Sequence, residues 1–528
     1  MHQPAWGGRR SDILGIAVVT VLAATLRFWG LATQALWVDE ALSVAWAGVF
    51  EGMTPYRFFA NLQGPFHALS LHVWSLLFGP SVASLRAMEA VAGTATVTAV
   101  FWALSTTLPR RTVYAAAGLL ALSPFHIWYS QEIRGYAFLM LFVVLSLGAF
   151  TRIARWTSEQ GDAMPSRAGA RTWALYTAAN LLAILSSLAG AFLLIGQALV
   201  LLAGAARRRV LWRRFVLSWM ATFLMITPWI YQFWERRLQP SGALSLEAIP
   251  ASERIRGGTT APAAGIPYTY YTFAVGFSYG PSLRELHQMD KTGLTPLLRP
   301  HLPAIAWAFA AFGAAAALGA MRLYRAGWAG RTWLVLAIVP LLLTWAVSLR
   351  NVKVFNPRYA AAAFPPFITV VAAGVASPRS RWASGLLFLA LAAPAAASTW
   401  QLRTEPRYWK EDAAGVAAFL RENVGPEDAM LMVGTDVPFR EYYWRFAGTQ
   451  PEGLWQDVWN WNHLPWEEKA EQLDELRGAH RKLFVILLRP KDPDPQGAWE
   501  AYLRREHGEA RVQRFAGASV WVLEGTAG

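Results

Sequence analysis

Hydrophobic residues in this chain gather into long, nearly unbroken runs, not the one-sided stripe of a helix lying on a water-soluble core. Runs approaching 20 residues occur at about 12–31, 86–108, 113–129, 136–151, 172–188, 190–206, 214–232, 302–321, 332–349, 360–377 and 383–400. Each is long enough to cross a bilayer as a helix. The pattern therefore predicts a polytopic α-helical membrane protein of about 11 spans. One further run, Pro65–Phe78, is apolar but short and carries His67 and His72. It either crosses the membrane or lies in its interface.

Charge decides between these alternatives. Arg110-Arg111, Arg152/Arg155/Arg167/Arg171, Arg207/Arg208/Arg209/Arg213/Arg214, Arg322/Arg325/Arg331 and Arg379/Arg381 lie in alternate connections. Basic short loops stay on the cytoplasmic side. If 65–78 does not span, all of these loops are cytoplasmic, the N-terminus is inside and the C-terminus outside. Arg9 and Arg10 precede the first run without a cleavage pattern, so that run reads as an uncleaved first span. Asp39-Glu40, the turn around Glu132, the 233–301 and Arg350–Tyr359 loops and everything beyond 402 then share the outer face. Were 65–78 to span, Asp39 and Glu132 would face opposite sides.

The pattern changes after 401. Glu411–Glu422, Val437–Phe446, Trp466–Leu476 and Ala498–His507 have helical spacing, while Ala429–Val433, Lys482–Leu488, Arg511–Phe515 and Ser519–Leu523 read as strands. Two domains follow: a membrane domain, 1–401, and an extracytoplasmic α/β domain, 402–528. The 233–301 loop is too long for a plain connector; it is either a mobile lid carrying Tyr268, Tyr270, Tyr271 and Phe273 or an unordered link.

Composition sharpens this picture at two points. The excess of 48 Lys+Arg over 34 Asp+Glu sits mostly in the short loops, so it reports membrane orientation and not nucleic acid. The absence of cysteine removes disulfides and thiolate metal sites.

Three polar clusters are candidates for chemistry. Asp39 and Glu40 stand just after the first span, where poorly hydrated charge needs a partner or a task. They either begin an interfacial helix over about 40–50 or supply a catalytic base whose carboxyl is raised by the low dielectric. Tyr129-Ser130-Gln131-Glu132-Ile133-Arg134-Gly135-Tyr136 joins two spans with almost no loop. Arg134 suits bidentate contact with phosphate, and Glu132 suits a divalent cation (Mg, Mn or Ca, with Asp39) or an acceptor hydroxyl. Arg350, Lys353 and Arg358 place three cations on the outer side, for lipid headgroups or for a leaving phosphate. His67, His72, His126, His287 and His301 show no ligand spacing. Trp444, Trp455, Trp459, Trp461 and Trp466 either pack the tail or stack on sugar rings.

Trp37-Val38-Asp39-Glu40-Ala41, the 129–136 motif and Pro357-Arg358-Tyr359 with Pro365-Pro366, in that order, resemble the bacterial branch of the GT-C membrane glycosyltransferases, relatives of protein O-mannosyltransferases and aminoarabinose transferases. The likeness covers about 12–400, and Tyr408-Trp409-Lys410-Glu411-Asp412 resembles the opening of the extracytoplasmic domain many of them carry. It implies inverting transfer of a sugar from a polyprenyl-phosphate donor to a glycan, lipid or protein acceptor outside the bacterial plasma (inner) membrane. Asp39 would be the base, with Glu40 and Glu132 beside it. Arg134, Lys353, Arg358 and Tyr359 would hold the donor phosphate, and Tyr129 and Tyr136 the acceptor or sugar. Gln63-Gly64-Pro65-Phe66 replaces the His-Pro-Pro-Leu run frequent in relatives. A flippase, or a polymerase or ligase of lipid-linked glycans using Arg254, Arg256 and His287, would share the many spans. A transporter would add polar residues inside its spans and a repeat of its halves, and neither is evident from the sequence.

Overall fold

The computed structural model describes the chain apart from residues 1–9, 62–63, 161–165, 206–208, 239–263, 288–293, 351–355, 462–463, 491–493, 495, 509–510 and 526–528. Helices dominate. The first part runs α1 (Arg10–Phe28), α2 (Val38–Trp46), α3 (Pro55–Ala60), α4 (Pro65–Phe78), α5 (Val82–Leu104), α6 (Arg110–Leu122) and α7 (Pro124–Tyr129). It continues with α8 (Tyr136–Gln160), α9 (Ser166–Ser186), α10 (Ala191–Val200), α11 (Arg209–Leu238) and α12 (Gly265–Val275). Long helices Leu302–Arg325, Trp328–Arg350 and Arg381–Thr404 follow, the last two flanking Phe364–Val375.

Among the described residues, eight helices are long and apolar enough to cross a membrane. The three expected spans missing from that set are 113–129, 172–188 and 190–206. The first is split by Ser123-Pro124, where the Ser123 hydroxyl accepts from the His126 N–H at 3.2 Å and starts α7. The third becomes a shorter apolar helix, Leu188–Ala203. Residues 166–186 do form a helix, but one diluted by Arg167 and Arg171.

α4 runs from the end of α9 toward the C-terminal domain. Gly64, at its start, packs on Leu185 and Ser186 at the end of α9, and Pro80, just beyond its end, accepts a hydrogen bond from Tyr442 of the C-terminal domain at 2.9 Å. Leu69, Val73, Leu76, Leu77 and Phe78 remain exposed along it. α4 is thus a short, 14-residue apolar helix with an exposed apolar stripe.

Close approaches set the site. A Cβ on Gly93 of α5 would collide with Ser130, and one on Gly135 with the Ser186 carbonyl. Glycine at these two places lets the 130–135 turn settle against α5 and α9. Helices 302–325 and 364–375 meet in the same manner at Gly319 and Gly374.

The tail is a five-stranded mixed sheet in the order β2-β1-β3-β5-β4, with β1 (Ala429–Gly434), β2 (Leu454–Asp457), β3 (Lys482–Leu488), β4 (Val512–Phe515) and β5 (Ala518–Glu524). β1 pairs in parallel with β2 and β3, and β5 antiparallel with β3 and β4. The hairpin at Gly517 was expected; β2 was not. Its pattern is short, polar at two of four positions and exposed to partly exposed throughout. Asp412 caps the helix Ala413–Asn423 by accepting from the Gly415 N–H at 2.9 Å.

This domain is seated on the membrane domain by named bonds. The Leu36 N–H donates to the Tyr443 hydroxyl at 2.6 Å, the Tyr408 hydroxyl donates to the Gly280 carbonyl at 2.8 Å, and Arg445 pairs with Glu51.

Candidate active site

Asp39 and Glu40 occupy the first turn of α2. Neither caps that helix: Trp37 precedes it without a side-chain cap bond. Successive residues on a helix point about 100° apart, so the two carboxylates reach different partners.

Asp39 faces the cations. Its Oδ2 accepts from Arg358 Nη1 at 2.5 Å and lies 3.7 Å from Arg134 Nη2. Arg134 also donates to the Asp39 carbonyl at 3.3 Å. Arg358 is placed by a short 3₁₀ segment, Pro357–Ala363, whose start is fixed by the Asn356 side chain accepting from the Arg358 N–H at 3.1 Å. Burial pushes the Asp39 carboxyl up, but the charges of Arg134, Arg358 and Arg489 outweigh it and hold the group at about 2. The expectation of a raised Asp39 is thus corrected: the nearby arginines lower the carboxyl by more than burial raises it.

Glu40 faces inward and is fully buried. Arg86 of α5 grips it with two bonds, 2.8 Å and 2.7 Å, while the Ile133 N–H donates at 3.1 Å and Lys410 Nζ lies 3.1 Å away. Arg86 spends its remaining donors on the carbonyls of Leu31, Gln34 and Ala35. Burial raises Glu40, yet Arg86 and Lys410 bring it to about 2.

Glu132 sits in the turn between α7 and α8. Trp128 Nε1 donates to its Oε2 at 2.7 Å, Lys410 Nζ is 3.9 Å from the same oxygen, and Oε1 has no partner. Its carboxyl is raised, chiefly by burial. The two acidic clusters therefore meet, joined by Ile133 and Arg134.

Searches by sequence found no matching family model and no matching curated protein. Structural similarity does appear. Archaeal oligosaccharyltransferase AglB from Archaeoglobus fulgidus, solved with an inhibitory peptide and a dolichol-phosphate, aligns over 96% of this chain and 72% of its own, at TM-score 0.53 and 13% identity. The apo form of the Archaeoglobus fulgidus oligosaccharyltransferase aligns over 91% and 70%, with the same score and 14% identity. The chain has the GT-C fold. ArnT from Cupriavidus metallidurans aligns over 97% of both chains at 17% identity, but its TM-score of 0.44 supports no structural argument.

Within this GT-C fold, several residues at the site had not been singled out. Arg86 and Glu89 lie three apart in an apolar helix, a spacing that puts both on one face, and charge inside a span is the usual mark of function. The Glu89 Oε1 pairs with His67 Nε2 at 2.7 Å, and its Oε2 has no partner. With Arg27 of α1, which bonds His126 at 2.8 Å, they show that the spans do hold buried polar groups, contrary to expectation. Lys410 and Arg489 come from the C-terminal part, both over the Trp37 ring, at 5.4 Å and 5.8 Å. Arg489 directly follows β3, in the left-handed region at φ 53°. No local pattern marks Arg489.

Other candidates are placed as follows. Tyr129 and Tyr136 are buried, edge to face at 5.1 Å. Tyr359 is 40% exposed, with its hydroxyl 3.5 Å from Arg358. Lys353 and Gln63 lie outside the described residues, as do Arg254 and Arg256, and the side chains of His287 and Trp459 are not described. Tyr271 and Phe273 belong to the buried helix α12 and not to a lid. Trp444 and Trp455 pack edge to face in one core of the tail, and Trp461 and Trp466 pack on Trp499 in the other, so these four are packing residues.

A divalent cation between Asp39 and Glu132 would sit against Arg134 and Arg358. Among the described residues no three carboxylates or imidazoles converge to hold one. The donor set present does not fit a protein-held metal cage.

Proposed function

We propose that this protein is an inverting membrane glycosyltransferase that moves a sugar from a polyprenyl-phosphate-linked donor to a glycan, lipid or protein acceptor of the cell envelope, at the outer face of a bacterial inner membrane. The observation that carries this is Asp39 held between Arg134 and Arg358. A carboxylate and two guanidiniums from three remote segments meet at one boundary of the membrane domain. That arrangement matches what a phosphate leaving group and an attacking hydroxyl need. The AglB oligosaccharyltransferase of the same fold was solved with a dolichol-phosphate, which supports a lipid-phosphate donor.

In this mechanism the donor phosphate takes Arg358 and Arg134 as its counter-ions. Their hold on Asp39 then weakens, and its basicity rises when donor is bound. Asp39 accepts the proton of the acceptor hydroxyl as that oxygen attacks the anomeric carbon. The bond from carbon to phosphate oxygen breaks with its electron pair, and the phosphate leaves against the arginines. One displacement of this kind inverts the centre. A flippase would also bind lipid phosphate, but it has no use for a base such as Asp39 in this setting.

Incubation of the purified full chain with a panel of polyprenyl-phosphate sugars and envelope acceptors, with and without chelator, tests this. One donor should be consumed with inversion, and chelation should lower the rate less than about tenfold, since the arginines carry the leaving charge. Donors translocated but never cleaved would instead identify a flippase.

A further inference from the structure

A second cationic site lies beside the first. Between the end of α1, the 128–131 turn, the end of helix Arg381–Thr404 and Lys410 there is a small, half-open cavity. Its polar wall is Arg86, Arg403, Lys410, Gln34, Gln131 and Trp128, with no carboxylate among the residues that line it. Glu40, the counter-ion of two of these cations, is buried behind them.

Arg403 is the cation that the transferase chemistry leaves unused. Its guanidinium donates to the Gln131 side-chain oxygen at 2.8 Å and, at greater length, to the carbonyls of Leu26 and Gly30. All three acceptors are uncharged, and the Arg403 Nε has no partner. These bonds fix the charge in place without neutralising it.

The surroundings say where the missing anion comes from. Arg403 lies over the Trp29 ring at 4.9 Å, and Trp29 packs on Trp400 at 6.1 Å, both indoles exposed. Exposed indoles with apolar residues on their far side mark the headgroup level of a membrane. Down the same two helices Val21, Leu22, Leu386 and Leu389 are exposed. Acyl chains fit along that apolar flank while an anion at their head reaches the cavity.

We propose that this cavity binds the anionic headgroup of a glycerophospholipid from the leaflet beneath the C-terminal domain. The headgroup phosphate bridges Arg403 and Lys410, and so ties α1, the last long helix and the start of the C-terminal domain together at the junction between them. This site is separate from the Asp39 clamp and stands whether or not the chain transfers sugar.

The test is lipid retention by the purified full chain in a neutral detergent, read by native mass spectrometry. Phosphatidylglycerol and phosphatidylcholine of identical acyl chains are compared. Wild type should retain one phosphatidylglycerol in preference to phosphatidylcholine. Arg403→Gln should cut that preference about five-fold, the factor expected for one basic side chain near an anionic headgroup, and Arg403→Lys should keep most of it. Arg358→Ala, at the other site, should leave it unchanged. Equal retention of the two lipids by wild type, or full preference in Arg403→Gln, overturns the proposal. Loss of preference in Arg358→Ala places the lipid at the donor clamp and overturns it as well. Displacement by millimolar inorganic phosphate reassigns the cavity to a soluble anion and overturns the lipid assignment.

Discussion

Asp39 and Glu40 are neighbours in the chain, carry the same charge and are both held near about 2, yet they belong to different regions of the site. The Glu40 side is closed. Its carboxylate has no exposure, four hydrogen-bond contacts from Arg86, Ile133 and Lys410, and a partner, Arg86, whose other donors are used on backbone carbonyls. The Asp39 side is open. Its side chain is 18% exposed, and the guanidinium nearest it, Arg358, is 16% exposed and has an unpartnered Nε. A saturated ion pair holds elements together; a pair with spare donors and solvent access can exchange partners with a substrate. Charge and location in the sequence are the same for both. The direction in which each leaves α2 separates a closed ion pair from an open one.

Four measurements can break or sharpen this contrast. Asp39→Asn should reduce transfer by about 10²–10⁴-fold, the range for losing a general base, while expression and donor binding stay near wild type. Substantial transfer by this variant would remove the base assignment. Glu40→Gln should act on stability instead: leaving Arg86 and Lys410 buried without their counter-ion costs about 3–5 kcal/mol, to be read as a fall in the thermal midpoint of the purified chain. If Glu40→Gln were as stable as wild type but inactive, the two roles would be reversed. Arg358→Ala should weaken donor binding by about 10–100-fold, consistent with one charge-assisted contact of ~1.5–3 kcal/mol, and an unchanged donor affinity would argue against the clamp. The smallest effect is on pH dependence. The folded carboxyls near 2 lie below their ordinary values of 3.8 and 4.5, so their stabilisation is complete above about pH 4.5 and disappears as pH falls toward 2. Unfolding followed across that window should show the loss in wild type and a shallower loss in Glu40→Gln.

Much of this was legible from residue patterns. Runs of apolar residues mark the membrane helices because a bilayer requires length and low charge, and little else, of a helix that crosses it. The acidic pairs and Arg358 stand out because charge beside hydrocarbon is costly. Arg86 and Glu89 were hidden by the same runs: at the start of a long apolar segment, charge is easily taken for its boundary. Lys410 and Arg489 were hidden for another reason. Both are ordinary basic residues of a water-facing domain, and their importance depends on where that domain sits, through contacts such as Tyr443 to Leu36 that span about 400 positions. The Trp residues of the tail could not be divided between packing and binding, since indole serves both; their ring contacts within the two cores decide for packing at four of the five.

What the amino-acid sequence determined alone is the architecture: apolar helices, then a small α/β domain, with the acidic and basic clusters at helix ends. These follow from local requirements, length, hydropathy and turn residues, which each segment meets by itself. The tertiary structure decided which charges meet, that Asp39 is lowered and not raised, and that Glu40 is buried in a closed ion pair with Arg86 and Lys410. Electrostatic partners are set by distances of a few ångströms between segments hundreds of residues apart, and no local pattern encodes such a distance.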